Sequence, residues 1–383
     1  MTRRPRTSAR ALGFTLVELM VALTLGAIVI ASVYTLGANA SRHFQEQQRV
    51  SQLQLAVRIA LERLRRDASM AGFGGTPASA LEPSCGVVAG TPAFFGVTVA
   101  DRDTSGMAAL GTMAGAAASL VHADRVRFTG NLDTSDIYLV RDYVGTTINL
   151  QTDWMGFRRS FANDYAGTIS EALFQQTFAP GRLVRITHPS GGTFFATIAS
   201  SSFSGAARVT LSASLPACAD VCTGCTIAPL SGVEYFLAEA PAALAPVNAA
   251  ATGPNTALMR GEWNLSTGAS IAGTARPILE WAVHFDAVPI VNTAALGVVP
   301  PTLVPQVDTS VAGVGALRPS AIYALDLTLG ARTPEQDDRF PWIAPAAGDP
   351  LTRFRAFTDR PGAMRVRTAR AEVLLPNIAY RGM

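Results

Sequence analysis

From Phe14 to Ala38 the chain is apolar almost without interruption. That run exceeds the ~20 helical residues needed to cross a bilayer core. One acid, Glu18, lies near its start, and four arginines (Arg3, Arg4, Arg6 and Arg10) precede it. The helical pattern continues past the run. Residues 41–69 contain neither proline nor glycine and are rich in helix formers. Within them Val50, Leu53, Val57, Ala60 and Leu64 recur three and four apart, which lays one apolar stripe along a helix. Arg58, Glu62, Arg65 and Arg66 fall largely off it. Together the two stretches predict one helix of roughly 55 residues, about 80 Å at 1.5 Å per residue. Gly72, Gly74, Gly75 and Pro77 end it.

After Pro77 the period changes to that of strands. Candidates are Arg125–Phe128, Ile137–Val140, Leu183–Thr187, Thr193–Ile198, Arg208–Leu211, Val233–Leu237, Leu279–Phe285, Ala321–Leu329 and Met364–Leu375. Several alternate apolar and polar residues, as half-buried antiparallel strands do. Residues 103–119 and 241–276, rich in Ala, Gly, Thr and Pro, read as loops or insertions, and 290–319 as an extended connection. No internal repeat of ~20–50 residues is apparent.

Charge alters the picture in one respect. The chain has 31 basic and 28 acidic side chains, net +3. The four arginines before Gly13 outweigh that excess, so the remainder is slightly acidic. The pI of about 8.8 therefore gives no ground for a nucleic-acid surface. Arginine clusters at Arg58, Arg63, Arg65 and Arg66, and at Arg365, Arg367 and Arg370, read as solvated faces. Every basic residue is arginine, which excludes a P-loop lysine, a Schiff-base lysine and a Ser-Lys dyad. At 49% apolar and 15% charged, the part beyond the helix can form a packed core of one or two domains.

A carboxylate in hydrocarbon costs several kcal/mol, so Glu18 needs a partner or a task. Ala38-Asn39-Ala40 would suit ordinary signal-peptide cleavage, but an ordinary apolar segment spans only ~7–15 residues. The stretch from Phe14 to Leu23 resembles the N-terminus of type IV pilins and type II secretion pseudopilins. The resemblance implies cleavage by a prepilin peptidase after Gly13, N-methylation of Phe14, and an assembly role for Glu18, paired with the Phe14 amine of a neighbouring subunit. Residues 65–74, with Arg66-Asp67 and Ala71-Gly72-Phe73-Gly74, resemble the end of the long helix in PilW-like minor pilins. Ile278–Phe285, Ile322–Arg332 and Arg365–Tyr380 resemble that group's later strands, although Leu375-Pro376-Asn377 has proline where the group carries arginine.

The expected fold is α+β: a long N-terminal helix, half transmembrane and half amphipathic, packed on a largely antiparallel β-rich head. Its segments are a leader (1–13, removed), the membrane and fibre-core half (14–38), the amphipathic half (39–71) and a head of one or two subdomains (72–383). The implied function is that of a non-enzymatic minor pilin that primes type IV pilus assembly and sits at the pilus tip. A J-type pseudopilin of type II secretion and a tip adhesin with binding loops in 241–276 or 290–319 are the alternatives. Implied partners are other minor pilins, the major pilin, the prepilin peptidase, the inner-membrane assembly platform and membrane lipid before assembly. The arginines put the N-terminus in the cytoplasm and the head across the inner membrane.

Cys85 stands apart, whereas Cys218, Cys222 and Cys225 are clustered. Four cysteines in an exported head read first as disulfides, with a zinc site or free thiols as alternatives. His43, His122, His188 and His284 are scattered and read as ordinary surface or strand residues. Asp101, Asp103 and Ser105, followed by Gly106, match the first half of a calcium loop, but Thr112 stands where a bidentate glutamate belongs, which favours a plain turn. No cofactor motif or nucleophile elbow is present.

Overall fold

The computed structural model describes residues 15–74, 96–101, 121–134, 136–163, 167–189, 192–215, 222, 224–245, 252–293, 302–305, 322–345, 351–357 and 359–379. It divides into two compact units, Met1–Gln52 and Leu53–Met383. The first holds the inner part of a single helix, α1, which runs unbroken from Leu16 to Met70. In the second unit the same helix buries Val57, Ala60, Leu61, Leu64 and Ala68, whose spacing keeps them on one face. Leu53 packs beside them. Of the predicted stripe, Val57, Ala60 and Leu64 are thus fully buried, and Leu61 and Ala68 widen it.

α1 ends where the sequence indicates, and the end is clasped by the head. Gly72 and Gly74 have φ of 78° and 65°, a left-handed conformation that glycine adopts without strain. Gly72 N–H donates to Thr129 O at 2.8 Å, and Asn131 N–H to Phe73 O at 2.8 Å. A side chain at Gly130 would lie 3.0 Å from Met70 O, tighter than an ordinary contact, so this close approach favours glycine.

Among the described residues the head has sixteen strands: β1 (Val97–Ala100), β2 (His122–Ala123), β3 (Arg125–Gly130), β4 (Tyr138–Val144), β5 (Thr147–Leu150), β6 (Leu183–Thr187), β7 (Thr193–Phe203), β8 (Ala207–Leu211), β9 (Thr226–Glu239), β10 (Thr256–Glu262), β11 (Arg276–Glu280), β12 (Ala282–Asn292), β13 (Leu303–Pro305), β14 (Ile322–Arg332), β15 (Arg353–Phe354) and β16 (Met364–Leu374). Short helices α2 (Met155–Phe161), α3 (Glu171–Thr177) and α4 (Pro376–Ala379), with a 3-10 turn at Ala242–Leu244, complete the described head. The long strand β9 belongs to two structures. Its first part pairs with β4 and β6, and the ring β9–β4–β5–β8–β7–β6 closes on itself as a small antiparallel barrel. Its second part pairs with β3 and β10, extending to β1 and β11. A second sheet runs β13-β12-β14-β16-β15, with β2 added parallel to β12.

One core joins the α1 stripe to Phe128, Tyr235, Phe285, Leu327 and their neighbours from both sheets. Another fills the barrel lobe, where Phe157 and Phe161 of α2 meet Phe174 of α3, Phe178 and Tyr138. Phe157 and Phe161 ring centroids lie 4.9 Å apart, and Phe174 and Phe178 5.1 Å.

Several expectations are corrected. Residues 241–276 are not a plain loop, because β10 crosses their middle. Five of its seven residues are buried, the first four in a row, so it shows no alternation to read. Leu279–Phe285 is two strands, not one, broken at Trp281, whose φ is 58°. That residue is held by a bond from its N–H to Asn255 Oδ1 and by the Arg332 guanidinium 4.6 Å above its ring. Strand β9 extends well beyond Val233–Leu237, its length hidden by Pro229 and Gly232 and by burial on both faces. Residues 103–119 lie outside the described residues, as does most of 290–319.

Candidate functional site

The first described turn of α1 carries Glu18, and its geometry explains why an acid is tolerated there. Thr15 precedes the helix and Glu18 is its third residue, the spacing of a capping box. Glu18 N–H donates to Thr15 Oγ1 at 3.3 Å, while Thr15 N–H and its hydroxyl donate to Glu18 Oε2 at 3.1 and 3.0 Å. The carboxylate also faces the positive end of the helix dipole. This Thr-x-x-Glu signature is readable in the sequence. Gly13 and Phe14 lie outside the described residues.

Along the rest of the apolar run, the polar side chains answer to their own helix. Thr24 Oγ1 donates to Val21 O, Ser32 Oγ to Ile28 O and Thr35 Oγ1 to Ser32 O, at 2.8–2.9 Å. Large apolar side chains from Leu16 to Leu36 are exposed, and the helix is long and apolar enough to cross a membrane.

At its other end the helix is held by charge as well as packing. Asp67 Oδ2 accepts from Tyr235 OH at 2.6 Å and from Arg260 Nε at 2.7 Å. Burial, and then the Asp67 charge, push the Tyr235 phenol well above the ordinary tyrosine range, so it remains a donor. Asn377 Nδ2 donates to Ser69 O at 3.0 Å, and Leu375 and Ile378 enter the core around α1. The two segments read as family signatures, 65–74 and 375–377, therefore meet around the helix C-terminus. Pro376 opens α4, a position that suits proline because the first helical N–H has no intrahelical partner.

Cys222 and Cys225 form a disulfide, with Cα atoms 5.1 Å apart, inside the barrel core. Cys85 and Cys218 lie outside the described residues, as do Asp103 and Ser105 of the calcium candidate. Asp101 is described, and it meets residues that the sequence reading kept apart. The parallel pairing of β2 with β12 sets His122 beside His284, with ring centroids 5.4 Å apart. His122 Nε2 lies 3.1 Å from Asp124 Oδ1, 3.3 Å from Asp286 Oδ1 and 3.7 Å from Asp101 Oδ1. Asp124, and after it Asp286, hold the His122 imidazole up at about 10. Burial, with the neighbouring His122 charge, holds His284 below its ordinary value. Both are strand residues, and the pairing of β2 with β12 brings them together. The signal was two His-x-Asp triplets, His122-Ala123-Asp124 and His284-Phe285-Asp286, which a strand places with His and Asp on one face.

Residues 8–34 match the family model of the prokaryotic N-terminal methylation motif. A comparison with curated proteins finds no match. Among solved structures, a type IV-like pilin from Thermus thermophilus is similar at 16% identity and a TM-score of 0.20, over 54% of this chain and 93% of its own. The methylation motif thus leads into an exposed apolar helix, and that helix into a large antiparallel head.

Proposed function

We propose that this chain is a PilW-like minor pilin that primes type IV pilus assembly and resides at the pilus tip with other minor pilins. The observation that carries the reading is the methylation motif over residues 8–34, continuous with an exposed apolar helix whose first turn holds Glu18. A prepilin peptidase cuts between Gly13 and Phe14 and methylates the new amine. The helix then rests in the inner membrane, with the leader side cytoplasmic and the head across the membrane. When subunits meet, the Glu18 carboxylate pairs with the Phe14 amine of a neighbour. An unpaired charge in apolar surroundings is expensive, so this pairing sets axial register.

The minor role is supported by the head, which carries a barrel lobe in addition to the sheets around α1. It is also supported by the 65–74 segment, whose Asp67 and glycines fasten the helix to that head. Mass spectrometry of the mature N-terminus tests the reading. N-methyl-Phe14 is expected, and Gly13→Val should accumulate uncut precursor. A mature chain beginning at Ser41 would establish ordinary signal-peptide cleavage instead. Deletion of the chain should reduce piliation, and the tagged protein should co-purify with other minor pilins.

A further inference from the structure

The His122 cluster is not absorbed by the assembly function, and its geometry is that of a ligand set. His122 and Asp124 stand two apart in and just after β2, and His284 and Asp286 two apart in β12. The parallel register sets His122 against His284 and Ala123 against Phe285. Two His-x-Asp triplets therefore lie side by side with their donors on one face. Asp101, at the end of β1, brings a third carboxylate from the other sheet. One donor atom each from Asp101, His122 and Asp124 lies within 4.8 Å of the other two.

The spacing lets a metal ion take the place of the His122 proton. His122 Nε2 is sealed from solvent and faces three carboxylate oxygens at ion-pair distance. Ligands about 2.1 Å from a tetrahedral metal stand about 3.4 Å from one another. The observed separations of 3.1, 3.3 and 3.7 Å bracket that value. Charge points the same way. Three carboxylates converge on one imidazole, and burial leaves Asp124 only 2% exposed. Arg370, near enough to feel Asp286, is paired with Asp326. The orientation of Asp124 is fixed from behind, because its Oδ2 accepts the Ala287 N–H at 2.8 Å and Oδ1 is left facing His122.

We propose that Asp101, His122 and Asp124, with Asp286 beside His122, bind one divalent transition-metal ion of the zinc class. One imidazole with carboxylates suits zinc better than calcium, which takes six to eight oxygens. Asp101 is partly exposed and provides the entry path. The ion would fasten the end of β1 to β2, and so one sheet to the other.

The test uses the full-length protein in detergent, stripped with a chelator and dialysed against Zn²⁺, Mn²⁺ or Ca²⁺. Elemental analysis should find one zinc per chain, with a rise of several degrees in the melting temperature. Asp101→Asn, at the exposed ligand, should melt like the metal-free wild type and bind zinc about tenfold or more weakly. His122→Gln should lose stoichiometric zinc. Protein that emerges metal-free from zinc dialysis overturns the proposal. So does zinc retained equally by both variants, and calcium held more tightly than zinc removes the metal class.

Discussion

Replacing Asp67 by asparagine conserves the side chain's shape and deletes its charge. In the native head Asp67 Oδ2 serves Tyr235 OH at 2.6 Å and Arg260 Nε at 2.7 Å. Asparagine can still accept the phenol's hydrogen bond, so the loss falls on Arg260. The two charged side chains are 15% and 24% exposed, which puts the pair between surface and interior. Removing one partner of a fully buried pair costs ~3–5 kcal/mol, and access of Arg260 to water lowers this to about 2–3 kcal/mol. For a chain of this size the melting temperature should fall by on the order of 5 °C. The assay is a thermal and urea melt of the full-length protein in detergent, combined in a double-mutant cycle with Arg260→Met. A coupling of about 1–2 kcal/mol is expected between the two positions. An Asp67→Asn protein within about 0.5 kcal/mol of wild type, or strictly additive variants, would show that packing of the Leu64 stripe alone holds the helix to the head.

Three further outcomes are expected. Glu18→Ala should leave the head's melting temperature and Gly13–Phe14 cleavage unchanged while reducing pilus number and co-purification with other minor pilins; normal piliation would remove the register role. Non-reducing peptide mapping should recover Cys222 linked to Cys225, and replacing both by alanine should lower stability by about 2 kcal/mol from loop entropy alone. Burial pushes the Tyr138 phenol up to about 12 from its ordinary 10. The buried neutral form therefore contributes stability that is complete below pH 10 and lost as pH rises to 12. Tyr138→Phe should flatten that alkaline limb by about 2–3 kcal/mol, and an unchanged limb would place the titration elsewhere.

The long helix was legible because two signals, unbroken hydrophobicity and then a stripe three and four apart, are both local. Its end was legible through Gly72 and Gly74. The strands were legible where one face is wet, as in β8 or β16, and illegible where burial is two-sided, as in β10 and the early part of β9. Pairing was not legible at all. No local pattern says that β9 serves a barrel with one half and a flat sheet with the other, or that β2 will lie parallel to β12. That is why Asp67 appeared as part of a signature without its partners, and why two His-x-Asp triplets 162 positions apart looked unrelated. The Thr15–Glu18 box, by contrast, is local and could have been read.

The hydroxyls of Thr24, Ser32 and Thr35 each return their proton to a carbonyl of the same helix. A segment wired this way, the Tyr34 phenol apart, makes little polar demand on whatever surrounds it. Moving it from lipid tails to the sides of neighbouring helices exchanges one apolar solvent for another, with no hydrogen bond broken in transit. Shape alone would then let such a helix slide freely along its neighbours. Glu18 is the single acidic side chain in the apolar run that can tell one axial position from the next.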